Sequence, residues 1–169
     1  MAPPEMWSHV VGFSIFPHIG GFLGWFFNRN SVPTWYENLK KPAWCPPNQM
    51  FPIAWTLLYT GMGFGSFLIW KDVGGFNSNA IIPLGLFGAQ LALNWAWPPL
   101  FFGIHNLRLA LLDILCLDGL VVATMYSWYP INKLATMLMV PYLAWLAMAT
   151  CLTYIIWMDN PGKKPRKKQ

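Results

Sequence analysis

The sequence predicts an all-α integral membrane protein, a bundle of five transmembrane helices, and three observations carry that prediction. Hydrophobic residues make up 56% of the 169 residues and the four charged types only 10%, against roughly 25% charged in a soluble globular domain. The charges are also confined. The stretches 6–28, 42–70 and 73–107 carry none apart from histidine, and each is long enough for a spanning helix of about 20 residues. Finally, with five spans the basic residues sort nine to one side (Arg29, Lys40, Lys41, Arg108 and five in the tail) and two to the other (Lys71 and Lys133). That asymmetry places the first loop and the C-terminus in the cytosol.

The elements follow in order. Helix one is expected at about 7–27; Met-Ala-Pro-Pro-Glu lacks a basic n-region and Pro17-His18 interrupts the apolar run, so this helix reads as a retained span and not as a cleaved signal. Helices two and three are expected at about 48–70 and 80–102. Helix four, about 107–128, carries Asp113 and Asp118, and helix five, about 134–157, is uncharged. Residues 1–160 thus form one transmembrane domain and 161–169 a basic cytosolic tail, read as a topology anchor and anionic-lipid contact in preference to a nucleic-acid arm. Its end, Arg166-Lys-Lys-Gln169, is similar to a dibasic endoplasmic-reticulum retrieval signal.

The loop over 28–49 is too long to be a plain connection. Trp35, Tyr36, Leu39, Trp44 and four prolines give it apolar surface and fixed angles, so it is expected to fold over the cytosolic mouth as a lid, with Trp44, Pro46 and Pro47 at its centre. The alternative is an interfacial segment whose tryptophans sit at headgroup depth.

Catalytic constellations are missing from the sequence. There is no GxSxG, Walker loop, GxGxxG or HExxH, and His9, His18 and His105 have no paired spacing. Cys45, Cys116 and Cys151 are odd in number and far apart, which excludes a disulfide framework or CxxC metal site. A non-enzymatic protein without metal or cofactor is expected. Asp113 and Asp118 point about 140° apart around their helix, which rules out a carboxylate pair; Asp113 lies within reach of Arg108. Asp118 falls at mid-membrane, where a lipid-facing carboxylate is unfavourable. It is expected to turn inward, toward Gln90 and Asn94 on helix three, either as a polar anchor for a ligand or as an interhelical hydrogen bond. Gly85-x-x-x-Ala89 permits close helix approach within the bundle or, alternatively, in a homodimer.

Four segments carry a resemblance: Lys41-Pro-Ala-Trp-Cys-Pro-Pro47, Trp55-x-x-Leu-Tyr-x-x-Met-Gly63, Gln90-Leu-Ala-Leu-Asn-Trp-Ala-Trp-Pro-Pro-Leu-Phe-Phe102 and Pro141-Tyr-Leu-Ala-Trp-Leu-Ala147. Together they resemble the translocator protein family, also called the peripheral-type benzodiazepine receptor or tryptophan-rich sensory protein family. His105-Asn106, Gly119-Leu-Val-Val122, Pro130-Ile-Asn-Lys-Leu-Ala135 and Leu152-Thr-Tyr154 look more like the second, erythroid-type vertebrate form.

The resemblance implies a cavity opening to the cytosolic side, frequent dimerisation, and binding of cholesterol and porphyrins. Sterol redistribution between membranes is the leading expectation, and porphyrin binding with tryptophan-assisted photochemical breakdown the alternative. Carried onto this chain, the ligand residues are Trp25, Asn28, Phe51, Trp55, Trp97, Leu109, Cys116, Trp145, Ala149 and Leu152, with Asp118 added from the physics of helix four. The family's sterol pattern is represented by Leu152 and Tyr154, although Met158 stands where a basic residue belongs. Two residues apart, Leu152 and Tyr154 point about 200° apart, so one must pack inside. The endoplasmic reticulum and plasma membrane are the expected locations, with the mitochondrial outer membrane the alternative.

Overall fold

The computed structural model describes residues 3–162; the tail from residue 163 lies outside the described residues. Five segments are long and apolar enough to cross a membrane: Pro4–Thr34, Met50–Asp72, Ser78–Gly103, Leu107–Trp128 and Lys133–Asp159. The first is two helices, α1 (Pro4–Ile15) and α2 (Ile19–Thr34), joined by a tight 3₁₀ turn over Phe16–His18. Pro17 sets that break, because its ring removes an amide donor and clashes with the preceding turn. Trp95 Nε1 donates to the Pro17 carbonyl at 3.3 Å and so fixes the kink against a neighbouring helix.

The remaining spans are α3 (Met50–Asp72), α4 (Ile81–Pro98), α5 (Leu107–Trp128) and α6 (Lys133–Asp159). After Pro98-Pro99, α4 runs on into a wider π-helical turn over Pro99–Gly103 that aims Phe101 and Phe102 inward, both buried. Side-chain caps set the starts of α5 and α6: Leu109 N–H donates to Asn106 Oδ1 at 3.0 Å and Ala135 N–H to Asn132 Oδ1 at 2.9 Å. Around the bundle the packing order is α1 on α3, α3 on α6, α6 on α5, α5 on α4, and α4 back on α2. Gly63 allows the closest crossing: a Cβ there would stand 2.8 Å from Ser14 Cα and run into the Phe13 carbonyl.

One boundary differs from expectation. The first span does not stop near residue 27 but continues to Thr34, so the connection to α3 is shorter than the loop predicted over 28–49. Arg29 does not end the helix, because its guanidinium lies over the rings of Trp25 (5.1 Å) and Phe26 (4.8 Å) at the helix surface, where a long cation reaches the headgroups. Pro33 falls in the last turn, where it interrupts little of the helix.

Candidate ligand site

Three helix faces converge on the interior. Phe51, Trp55 and Tyr59 recur every fourth residue and share one stripe of α3; Tyr142, Trp145, Ala149 and Leu152 share one stripe of α6. Gln90, Asn94 and Trp97 extend the same periodicity along α4 toward Phe101. The rings meet edge to face: Phe51 and Trp145 at 5.7 Å, Trp55 and Trp145 at 6.4 Å, Trp55 and Tyr142 at 6.2 Å between centroids. Trp97 lies flat against Phe101 at 4.5 Å.

Beside this aromatic wall runs a polar chain linking α3, α4 and α6. The Tyr59 hydroxyl donates to Asn94 Oδ1 at 2.7 Å, Asn94 Nδ2 donates to the Tyr142 hydroxyl at 2.9 Å, and that hydroxyl donates to Gln90 Oε1 at 2.8 Å. All four residues are buried, Gln90 and Tyr142 at 0% exposure. Because every hydroxyl proton is committed in one direction, the chain ends on the Gln90 amide. Gln90 Nε2, Trp97 Nε1 and Trp145 Nε1 are buried donors with no hydrogen-bond partner among the described residues. In a membrane interior such groups are costly unless something accepts from them, so the interior offers several donors to an acceptor-bearing guest.

Asp118 turns inward as expected, yet its partner is not the expected one. Thr150 Oγ1 on α6 donates to Asp118 Oδ2 at 2.7 Å, while Asn94 is engaged by both tyrosines and Gln90 by Tyr142 through its Oε1 alone. Among the described residues Asp118 Oδ1 is buried without a partner, and so is Asp113 Oδ2, which takes no hydrogen bond from Arg108.

The predicted ligand residues divide into two groups. Phe51, Trp55, Trp97, Trp145, Ala149 and Leu152 are brought together by the inner faces, and Asn28 is half-buried with Oδ1 unpartnered. Trp25, Leu109 and Cys116 are not: Trp25 is 62% exposed, and Leu109 and Cys116 face outward on α5. Leu109 belongs to an exposed stripe with Leu112 and Val122, the membrane-facing side of that helix. Leu152 is buried and Tyr154 is half-exposed on the outer surface, which resolves the pair as the 200° argument requires. Gly85 and Ala89 lie exposed on α4, with nothing within 4 Å of a Cβ built at Gly85.

The connection after α2 does cover one mouth of the bundle, through Tyr36 and Leu39 of the predicted apolar set and not through Trp44, Pro46 and Pro47, expected at its centre. Tyr36 and Leu39 are buried against Phe101, Phe102, Leu107 and Ile156. Trp44 and Pro47 are exposed and Pro46 half-buried. Asn160, just past α6, clasps the lid backbone: Lys40 N–H donates to its Oδ1 at 3.0 Å, and its Nδ2 donates to the Lys40 carbonyl at 3.0 Å. Lys41 Nζ donates to the Tyr36 carbonyl at 2.6 Å and sits over the Tyr36 ring. Burial, and the Cys45 thiol 3.6 Å from its hydroxyl, raise the Tyr36 pKa. His105 stacks on Trp35 at 4.2 Å, and its pKa is lowered by desolvation.

Sequence reasoning named neither Tyr59 nor Tyr142 nor Asn160 for the site. The first two were visible as polar positions on the stripes of Trp55 and Trp145; Asn160 carries no periodic signal.

The fold is that of a five-span helical membrane protein whose interior is walled by tryptophans and covered at one end. The TspO/MBR family model matches residues 13–158. The chain is 48% identical to the translocator protein of Sus scrofa over 97% of its own length and 96% of that protein's. It is likewise 48% identical to the Homo sapiens translocator protein, over 96% and 95%. With translocator protein 2 of Canis lupus familiaris the identity is 45%, over 88% and 87%. The chain belongs to the TspO/MBR family, as an integral membrane protein. The chain is thus similar to both vertebrate forms, at 48% and 45% identity.

Proposed function

We propose that the protein binds a flat apolar ligand, cholesterol first, between the inner faces of α3, α4 and α6, and exchanges it between membranes through the lid end. The observation that carries this reading is the aromatic wall of Phe51, Trp55 and Trp145 set beside buried donors at Trp97, Trp145 and Gln90. The rings suit a rigid fused-ring body and the donors suit its oxygen. The name shared by the relatives agrees with a carrier, and no chemistry on the ligand is proposed. Porphyrin binding is the second reading, favoured by the tilted Trp55–Tyr59 and stacked Trp97–Phe101 ring pairs, which offer broad π surfaces. The nine-to-two basic asymmetry supports a cytosolic lid and C-terminus, in the endoplasmic reticulum and plasma membrane or the mitochondrial outer membrane, and the exposed Gly85 and Ala89 suit a homodimer.

The test is titration of the full chain in lipid nanodiscs with cholesterol and with protoporphyrin. Trp55→Ala and Trp145→Ala are expected to weaken the true ligand about tenfold or more, from lost aromatic burial, while Tyr154→Ser on the outer surface changes little. The reverse pattern, binding lost in Tyr154→Ser alone, places the sterol on the outside of the bundle and overturns the reading.

A further inference from the structure

On the membrane face at the end opposite the lid, α5 and α6 border an open apolar groove of about 570 Å³. Its walls are Val122, Met125 and Tyr126 on α5, Tyr129 and Pro130 just past its end, and Thr136 and Leu143 on α6. Val122 to Tyr129 and Thr136 to Leu143 each span two helical turns, so the groove runs about 10 Å inward from the helix ends. The Thr136 hydroxyl is already committed to the Asn132 carbonyl at 3.1 Å, which leaves the inner wall without a free donor. Polarity is confined to the rim. There the exposed Tyr126 and Tyr129 rings open outward, and the Lys133 ammonium stands 5.5 Å from the Tyr129 centroid.

An apolar trough two turns deep that ends in a cation beside phenols has the polarity profile of one lipid: hydrocarbon below, anion above. We infer that this groove holds a single phospholipid, one acyl chain between α5 and α6 and its phosphate on Lys133. Charge selects this occupant over a sterol, whose lone neutral hydroxyl draws little from an ammonium, whereas a phosphate gains a charge-assisted contact. Tyrosine and lysine at the ends of spanning helices commonly mark headgroup depth, so the phosphate and the rim fall at the same level. The site is separate from the interior, and its occupancy does not depend on what the interior binds.

The experiment is native mass spectrometry of the full chain, released from mild detergent after equilibration with equimolar phosphatidylglycerol and cholesterol. Four proteins are compared: the parent, Lys133→Gln, Leu143→Trp, which fills the groove, and Lys71→Gln, which removes a cation at the same end away from it. One retained phosphatidylglycerol is expected in the parent and in Lys71→Gln. Retention falls about fivefold in Lys133→Gln, the loss expected for one basic contact, and disappears in Leu143→Trp, with cholesterol retention unchanged in all. Equal phosphatidylglycerol retention in the parent and Lys133→Gln overturns the proposal. So does loss of cholesterol, or of a second copy of the chain, from the groove variants in its place. Lys133 is exposed, so its substitution keeps the test decisive even where Leu143→Trp does not fold.

Discussion

The two ends of the bundle are closed by different means. At the end away from the lid, Trp128 is fully buried and donates to the Pro83 carbonyl at 3.0 Å, with Gly65 making room for its ring. Gly74 and Gly75, both at positive φ, turn the chain tightly after α3, and Asn132 both caps α6 and donates to Asp72 at 2.7 Å. At the other end a long segment lies over the mouth, held by Asn160, Lys41 and an aromatic cluster. Opening the first end tears apart side-chain packing. Opening the second uncovers Tyr36 and Leu39 and releases the Asn160 and Lys41 hydrogen bonds, but it lifts a connecting segment without parting the spanning helices, a smaller cost. On the proposed function, the contrast favours ligand passage at the lid end, with structural anchoring at the other.

The largest expected effect follows at the anchored end. Trp128→Ala empties a closed site and is expected to destabilise the protein by about 3–5 kcal/mol, read as a lowered unfolding midpoint in detergent. Ligand dissociation from the protein that remains folded is expected to stay as in the parent. Faster dissociation without loss of stability would show that this end also gates.

The smallest effect concerns His105, at the corner between α4 and α5, which holds a left-handed φ of 53° and leans on Trp35 of the lid. Desolvation lowers its pKa, so the closed lid favours the neutral ring. Stability from this contact is complete above the ordinary histidine value and declines as pH falls through about 6.5. Ligand dissociation is therefore expected to rise about twofold on acidification. His105→Gly, which adopts positive φ freely, is expected to make the rate independent of pH over the same range. A parent rate that is flat with pH would remove His105 from the closure.

The spans were legible because charge is confined by the bilayer itself: the uncharged stretches between Lys41 and Lys71, and between Asp72 and Arg108, reappear as α3 and α4 with their ends shifted by a few residues. The end of α2 was not, since Arg29 and Pro33 look like loop residues although a snorkelling cation and a last-turn proline both fit a helix. The wall of the site was legible through the resemblance, which carried Phe51, Trp55 and Trp145 onto this chain; spacing alone puts Phe51 and Trp55 on one stripe of α3 but does not say that Trp145 on α6 faces them. Trp25, Leu109 and Cys116, carried over on the resemblance alone, lie on outward faces, because a resemblance transfers positions without transferring the direction in which each helix presents them. Asp118 was correctly turned inward by its cost in lipid. Its partner Thr150 was hidden because nothing in one sequence says which neighbour a helix faces.

The central claim is that the lid end is the working end, and Asn160 tests it most directly. Asn160→Ala removes both hydrogen bonds to the Lys40 backbone and the 2.8 Å bond to the Ile156 carbonyl, without touching the aromatic wall. At about 0.5–1.5 kcal/mol for each bond, the lid opens more often while the bundle stays folded. The measurement is the dissociation rate of bound cholesterol or protoporphyrin from the full chain in nanodiscs, parent against Asn160→Ala. The account predicts dissociation about tenfold faster with the unfolding midpoint nearly unchanged; an unaltered dissociation rate in a folded Asn160→Ala protein would contradict it.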